Sequence, residues 1–443
     1  MGDSKYHNAL ASMFRLHRFG IKLGLDTITA MLSALGDPHK QFKTIHIAGT
    51  NGKGSVAAML TAILKASGYS VGRYTSPHLE RFNERICIDD QPISDDEVVM
   101  DYQQVMAIED LPRQPTFFEF TTAMAFEAFA RHQVEWAVIE TGMGGRLDAT
   151  SVIDPVLSII TNISLEHKQY LGGTLPLIAG EKAGIIKPKV PVVSGVRQKT
   201  ARAVIARKAA KEHARLIQMG NDVKYRRHAK KGFSYFGLYH RWRNIQLSLA
   251  GEHQVDNASL VLAACELLDH NRIADIDEAS VRKGLISASW PGRLEIACKA
   301  PFVILDGAHN LMAARVLGRH LKHHFSDRDI TLVVGVLDDK PYASILKDLI
   351  APSRRVVITQ PRTDRAVPVE RLASVAKRFN ENVTIEKDVG DALRYAISSS
   401  SPEDVICVAG SLYVVGEAKT ALTEMVKAGA EPNPCLDLKR KIH

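Results

Sequence analysis

No stretch of this 443-residue chain reaches the ~18 uninterrupted apolar residues that a membrane span requires. The amino terminus, MGDSKYHNALASMFRLHRFG, has neither a compact apolar segment nor a small-residue cleavage site, so no secretory leader is expected. Cysteine is scarce. Cys87, Cys265, Cys298, Cys407 and Cys435 are scattered, odd in number and free of any C-x-x-C pair. That pattern argues against a disulfide framework and a cysteine zinc site, and favours a reducing cytosol. Internal repeats and low-complexity tracts are absent, which excludes collagen, coiled coil and disorder as the dominant architecture.

What is present is the composition of a globular chain, 45% hydrophobic and 24% charged, long enough for roughly two or three domains. Lys and Arg number 57 against 49 Asp and Glu, a surplus of +8 that makes nucleotides, polycarboxylates or nucleic acid plausible partners. The densest basic runs, 224–231 and Lys439-Arg440-Lys441, read as a solvated loop and a solvated tail.

Short β-branched runs alternate with helical runs, the signature of parallel sheets flanked by helices. Strands are expected at 44–48, 71–74, 84–88, 136–140, 156–160 and 190–193. Helices are expected from Ser55 to Ser67 and from Asn257 to Asp269, with capping boxes at Ser94-x-x-Glu97 and Thr116-x-x-Glu119. A β-hairpin is expected within 222–253, from alternation at Gly232–Leu238 and Ile245–Leu249. A second series has strands at 302–305, 330–335, 355–358, 383–386 and 404–408, alternating with helices near 309–323, 342–350, 368–379, 389–399 and 412–428. It makes a doubly wound domain of its own. The fold class is therefore α/β: an N-terminal P-loop ATPase domain with a mainly parallel sheet, residues 1–292, and a C-terminal Rossmann-like domain, residues 293–443. The punctuated stretch from Trp290 to Cys298 holds the boundary and is expected to act as a hinge.

Gly49-Thr50-Asn51-Gly52-Lys53-Gly54-Ser55 lies between a strand and a helix, where glycines let backbone N–H groups curl around phosphate oxygens at a helix N-terminus. Lys53 would reach the terminal phosphates and Ser55 a magnesium ion. The motif departs from G-x-x-x-x-G-K-[ST] in placing Gly54 between lysine and serine. Glu140 ends an apolar strand and runs into Gly142-Met143-Gly144-Gly145-Arg146, at the carboxyl edge where open sheets collect ligands. A carboxylate there can hold a hard cation. Taken alone, His167 is a structural residue more often than a ligand, and Lys182 a salt-bridging helix lysine. His320, His323 and His324 read as a surface stripe. Asp306-Gly307-Ala308-His309-Asn310 and Gly410-Ser411-Leu412-Tyr413 fall on the ligand edge of the second domain.

Together GTNGKGS, Tyr74-Thr75-Ser76-Pro77-His78-Leu79, ETGMGGRLDAT, TNISLEH, GEKAGI, Asn257, WPGR and DGAHN resemble the Mur ligase superfamily. Within it they resemble the folylpolyglutamate synthase family, including its bifunctional dihydrofolate synthase form. The resemblance covers residues from about 20 to 416 in the family's order. It implies an ATP-dependent amide ligase adding L-glutamate to dihydropteroate and to reduced folates through an acyl phosphate. Two magnesium sites are implied, Ser76 with Glu140 and Glu140 with His167, alongside Ser55, and Lys182 would be carbamylated. Gly49 to Ser55, Asn257, Arg293, Asp306, Ser411 and Tyr413 would contact ATP, and His309 would orient or deprotonate the incoming amine. Gly20, Ile21, Lys22, Phe118, Glu119, Phe120, Arg146 and Leu147 would lie on the pterin side. Glu166 stands where aspartate is common, and Ser151 where asparagine is. A monomeric cytoplasmic enzyme, without nucleic-acid or membrane partners, is expected. The alternatives are a folate-only polyglutamate synthase, a UDP-muramyl ligase and a nucleic-acid-binding ATPase. The muramyl ligases carry a further domain before the phosphate loop, and only 48 residues precede Gly49 here.

Overall fold

A computed structural model describes residues 2–16, 20, 22–228 and 232–427. Phe19, Ile21, the segment 229–231, Cys435 and the basic tail lie outside the described residues. The chain divides into two compact units, Met1–Trp290 and Pro291–His443. Among the described residues no helix is long and apolar enough to cross a membrane.

In the first unit eight strands form one sheet: β1 (Lys43–Ala48), β2 (Val71–Tyr74), β3 (Ile86–Ile88), β4 (Gln91–Pro92), β5 (Trp136–Glu140), β6 (Leu157–Ile160), β7 (Val192–Ser194) and β8 (Leu216–Gln218). Their order is β4-β3-β2-β5-β1-β6-β7-β8. Only the β2–β3 and β3–β4 pairings, at one edge, are antiparallel. The central strands are buried on both faces, as strands covered on two sides must be. In β5, Trp136 and Val138 enter one core while Ala137 and Ile139 enter another, the period of two expected of a pleated strand. The helix Lys53–Ala66 is buried from Gly54 to Leu64. Helix Glu278–Ser287 crosses it so closely that a Cβ on Gly284 would lie 2.5 Å from the Ile63 Cα. Both anticipated capping boxes form, at Ser94 and Thr116.

The expected hairpin within 222–253 is instead a three-stranded antiparallel sheet of β9 (Lys224–Arg227), β10 (Phe233–Phe236) and β11 (Arg241–Ile245). Stacking of Tyr235 on Trp242, 5.5 Å apart, fixes the pairing of β10 with 241–245 rather than with 245–249. The basic run supplies an edge strand, and Arg227 is answered by Glu252 at 2.8 Å.

Among its described residues the second unit carries six strands: β12 (Glu295–Lys299), β13 (Phe302–Leu305), β14 (Ile330–Val334), β15 (Arg355–Ile358), β16 (Val383–Ile385) and β17 (Val405–Ala409). Their order is β12-β13-β17-β14-β15-β16. Five are parallel, and the unanticipated β12 is an antiparallel edge.

Candidate active site

Pairing of β1 between β5 and β6 assembles the first unit's site. Ile47 sits opposite Glu140, and Ala48 opposite Ile160, so three strand ends finish level. The next residues of each, Gly49, Thr141 and Thr161, therefore begin loops side by side. The loop after β1 is laced to the loop after β6. Thr50 N–H donates to the Asn162 carbonyl at 2.9 Å. Asn51 N–H donates to Asn162 Oδ1 at 3.0 Å, while Asn162 Nδ2 returns a bond to the Asn51 carbonyl at 2.9 Å. Gly52 caps the helix Lys53–Ala66 at φ +87, and a Cβ there would lie 2.5 Å from Asn257 Oδ1. Both the left-handed backbone and the crowding require glycine.

Lys53 Nζ donates to the Gly49 carbonyl at 3.2 Å and lies 3.5 Å from Glu140 Oε1. Lys182 ends the helix Leu175–Lys182 and is buried. Its Nζ donates to the same Gly49 carbonyl at 2.8 Å and to Glu166 Oε1 at 2.7 Å. Burial holds the Lys182 amine below its usual range; Glu166 opposes that shift and Lys53 adds to it. Glu166 shows the converse balance. Burial alone would raise its carboxyl, but Lys182 and Lys53 outweigh burial and hold it low.

Ser55 is buried and accepts a bond from Gln254 Nε2 at 3.2 Å, while Gln254 Oε1 accepts from Asn257 Nδ2 at 2.9 Å. Gln254 thus links two anticipated ATP residues, yet no motif marks it. Ser76 follows β2, whose Tyr74 pairs level with Ile139, so it shares the sheet edge with Glu140. His167 adopts a left-handed backbone, φ 44, before the short helix Lys168–Leu171. The loop after Glu140 is shaped by Asp148, which accepts from Met143 N–H at 2.8 Å and Thr150 Oγ1 at 2.6 Å.

Oxygen donors dominate this edge. A buried carboxylate at Glu140 and a hydroxyl at Ser55 are suited to a hard divalent cation, and the lysine-bearing helix N-terminus to a polyphosphate.

Of the pterin-side residues, Phe118 stands over the Gly142 backbone and against Tyr74, with ring centroids 5.9 Å apart. Arg146 pairs with Glu181 at 2.9 Å, Leu147 is half-buried, and Gly20 and Lys22 are exposed. Two expectations need correction. Phe120 is 1% exposed and packs in the core beside Tyr102, so it presents no surface to a ligand. Glu119 is committed to the capping box at Thr116 and to both terminal nitrogens of Arg113, at 2.9 and 2.7 Å. Its carboxylate holds the helix start.

In the second unit, Asp306 builds the turn after β13. One oxygen accepts from Leu294 N–H and the other from Ala308 N–H, each at 2.9 Å. Arg293 Nη1 donates to the Gly292 carbonyl at 2.9 Å, and its fork leaves no room for a side chain at Gly307. His309 Nδ1 lies 2.8 Å from the Gly307 carbonyl, and Asn310 caps the helix Leu311–His324. Ser411 is buried and accepts from Val414 N–H at 3.1 Å, whereas Tyr413 is exposed. The three histidines of that helix cluster at its end, with His320 and His324 centroids 4.3 Å apart.

A phosphate loop on a parallel sheet, followed in the chain by a second parallel-sheet unit, is the plan of a Mur-type ligase. Residues 47–265 match the Mur ligase middle domain and residues 292–412 the Mur ligase glutamate ligase domain. A dihydrofolate synthase/folylpolyglutamate synthase of Bacillus subtilis is 36% identical over 428 residues, covering 94% of this chain and 99% of that one. The Mycobacterium tuberculosis folylpolyglutamate synthase, solved with ADP and AMPPCP, superposes with a TM-score of 0.84 at 35% identity, covering 93% of this chain and 98% of that one. The bifunctional Yersinia pestis enzyme, solved with AMPPNP and manganese, gives 0.85 at 31% identity, covering 94% and 98%. The chain belongs to the dihydrofolate synthase/folylpolyglutamate synthase family of ATP-dependent glutamate ligases.

Proposed function

We propose that one active site in this chain performs two ligations, L-glutamate onto dihydropteroate and further glutamate onto reduced folates. The ligase chemistry of this reading rests on the placement of Lys53 between the Gly49 carbonyl and Glu140, with buried Lys182 reaching the same carbonyl, and its two activities on the likeness to the Bacillus subtilis dihydrofolate synthase/folylpolyglutamate synthase. A carboxylate is a poor electrophile, because an attacking amine would have to expel oxide. Transfer of the ATP γ-phosphoryl group onto it gives an acyl phosphate, whose leaving group is phosphate. Lys53 and the helix N-terminus hold the phosphates and offset charge on the transferring group. One divalent cation held by Ser76 and Glu140, with Ser55 close by, and a second held by Glu140 and His167, with carbamylated Lys182 as a further oxygen ligand, would supply Lewis-acid stabilisation.

Carbamylation needs a neutral amine, and burial of Lys182 favours that form. Asn257 from the first domain, residues 1–292, and Arg293, Asp306, Ser411 and Tyr413 from the second, residues 293–443, hold the nucleotide. His309 orients or deprotonates the glutamate amine. Phe118, Arg146, Leu147 and the segment Gly20–Lys22 receive the pterin. Both reactions join the same amine to an activated carboxyl, so they share this machinery; only the distance from pterin to reacting carboxylate differs. The enzyme works as a cytoplasmic monomer on small molecules alone.

The test supplies ATP and glutamate with dihydropteroate or with tetrahydrofolate, and reads ADP release and product mass. The expected result is dihydrofolate from the first and extended folates from the second. Extension of tetrahydrofolate without any dihydrofolate synthesis would leave a folate-only enzyme.

A further inference from the structure

The phosphate loop departs from the common pattern at Gly54, and the structure supplies a reason 236 residues away in sequence. Gly54 lies in the first turn of the helix Lys53–Ala66. It is not among the glycines of positive φ, so its backbone tolerates any residue. Space is what forbids a side chain. A Cβ on Gly54 would lie 2.5 Å from Trp290 Cε2 and 2.8 Å from Trp290 Nε1, inside van der Waals contact. The indole edge therefore rests directly on the backbone between Lys53 and Ser55. The Arg73 guanidinium lies 5.3 Å from the Trp290 ring centroid, within cation–π range. Arg73 is itself fixed, donating to Asp90 Oδ1 at 2.5 Å and to Cys87 Sγ at 3.4 Å. Both are anchored near the antiparallel edge of the sheet.

The geometry points to Trp290 as a positioning residue for ATP. It is a rigid wedge, braced by Arg73, that fixes the turn carrying Lys53 and Ser55. Without the wedge this turn can shift along the helix axis, and a misplacement of about 1 Å in a positioned group costs about 100-fold in rate. Trp290 thereby acts through Lys53 and Ser55 and touches no reacting atom. The inference rests on the assignment of 49–55 to the phosphates of ATP and adds a requirement to it.

The test is a double-mutant cycle read as kcat and KM for ATP, with AMPPNP binding measured separately. Gly54→Ala and Trp290→Ala should each lower kcat/KM for ATP by roughly 10- to 100-fold. KM for glutamate should stay unchanged, and Trp290→Phe should retain most activity. In the double variant the added methyl meets no indole, so it should be no weaker than Trp290→Ala alone. A double variant as weak as the product of the two singles overturns the inference. So does a Trp290→Ala enzyme with unaltered ATP kinetics.

Intrinsic fluorescence gives a readout on the unaltered fold. Of the three tryptophans, Trp136 and Trp242 are buried in the core. AMPPNP should change the emission of the wild type and leave that of Trp290→Phe unchanged; a change persisting in Trp290→Phe counts against the wedge. A wild-type enzyme that binds no AMPPNP would remove the phosphate-loop reading itself. Normal binding with indifferent Trp290 variants removes only the wedge.

Discussion

Replacing Gln254 by leucine tests whether a residue outside every recognised motif sustains the ATP site. The side chain is fully buried, and leucine has nearly its shape, so steric loss is small. The polar loss is specific. Gln254 Nε2 donates to Ser55 Oγ at 3.2 Å, and Gln254 Oε1 accepts from Asn257 Nδ2 at 2.9 Å. Leucine deprives both buried partners of a bond. A buried polar group left unsatisfied costs ~1–3 kcal/mol, which gives about 2–4 kcal/mol for the pair once some relaxation is allowed. In a domain of this size each kcal/mol moves the unfolding midpoint by about 2–4 °C, so Gln254→Leu should melt roughly 4–16 °C lower. Because Ser55 and Asn257 are both proposed to serve the nucleotide site, the loss should also appear in ATP binding. KM for ATP should rise about tenfold while KM for glutamate holds, since one lost orienting bond of ~1.4 kcal/mol is a factor of ten. The assay pairs thermal unfolding, with and without AMPPNP, with initial rates at varied ATP. A variant with wild-type melting and wild-type KM for ATP would show that the hydrogen-bonded bridge does not support the loop.

Three further outcomes are expected. Lys53→Ala should abolish turnover with little loss of fold stability, because this lysine opens the helix Lys53–Ala66 at the sheet edge and its ion pair with Glu140 is long, at 3.5 Å; near-normal rates would remove the loop from the mechanism. Lys182→Ala should lose magnesium-dependent turnover, and a carbamate carbon signal from protein equilibrated with ¹³C-bicarbonate should be present in the wild type and missing in the variant. A wild type without that signal, or an active alanine variant, refutes the adduct. Glu97→Gln should lose stability at neutral pH: burial would raise this carboxyl, but the Ser94 amide and hydroxyl, Arg131 and His132 bring it down to about 2. A carboxyl depressed in the folded state stabilises above its unfolded value and loses that contribution as pH falls, here between about pH 5 and 2. Denaturation midpoints across that range should therefore slope less steeply in the variant than in the wild type.

Much of this site was legible because its chemistry is local. A strand, a glycine-rich loop and a helix adjoin in sequence at 44–67, and Glu140 is visible as the polar end of an apolar run. Residues whose role depends on distant partners were not legible in the same way. Gln254 looks like any polar residue on a helix until the fold brings it to Ser55, 199 positions earlier. Gly54 reads as a deviation until Trp290 is found against it. The error at Glu119 was of another kind. Its capping box with Thr116 was plain in the sequence, and a buried carboxylate already holding a helix start and Arg113 has few lone pairs left for a substrate. Phe120 shares the run with Phe118, but a helix turns residues two apart through about 200°, so one faces Gly142 and the other the core. Strand β12 escaped notice because a short antiparallel edge lacks the continuous apolar character of its parallel neighbours.

The lacing of the phosphate loop has a consequence for how the polypeptide matures. Gly49 to Ser55 is made early, but its partners arrive at Asn162, Lys182, Gln254, Asn257 and Trp290. During vectorial synthesis at ~5–20 residues per second, the loop waits roughly 12–48 s for Trp290 to follow. Until then the cradle lacks its walls, and nucleotide has no complete site on the nascent chain. On the proposed reading ATP consequently selects chains in which at least the whole first unit has closed, and its binding energy is added to stability no earlier than that stage. Nucleotide in the medium thus acts as a late clamp on a fold whose parallel strands pair across long sequence separations.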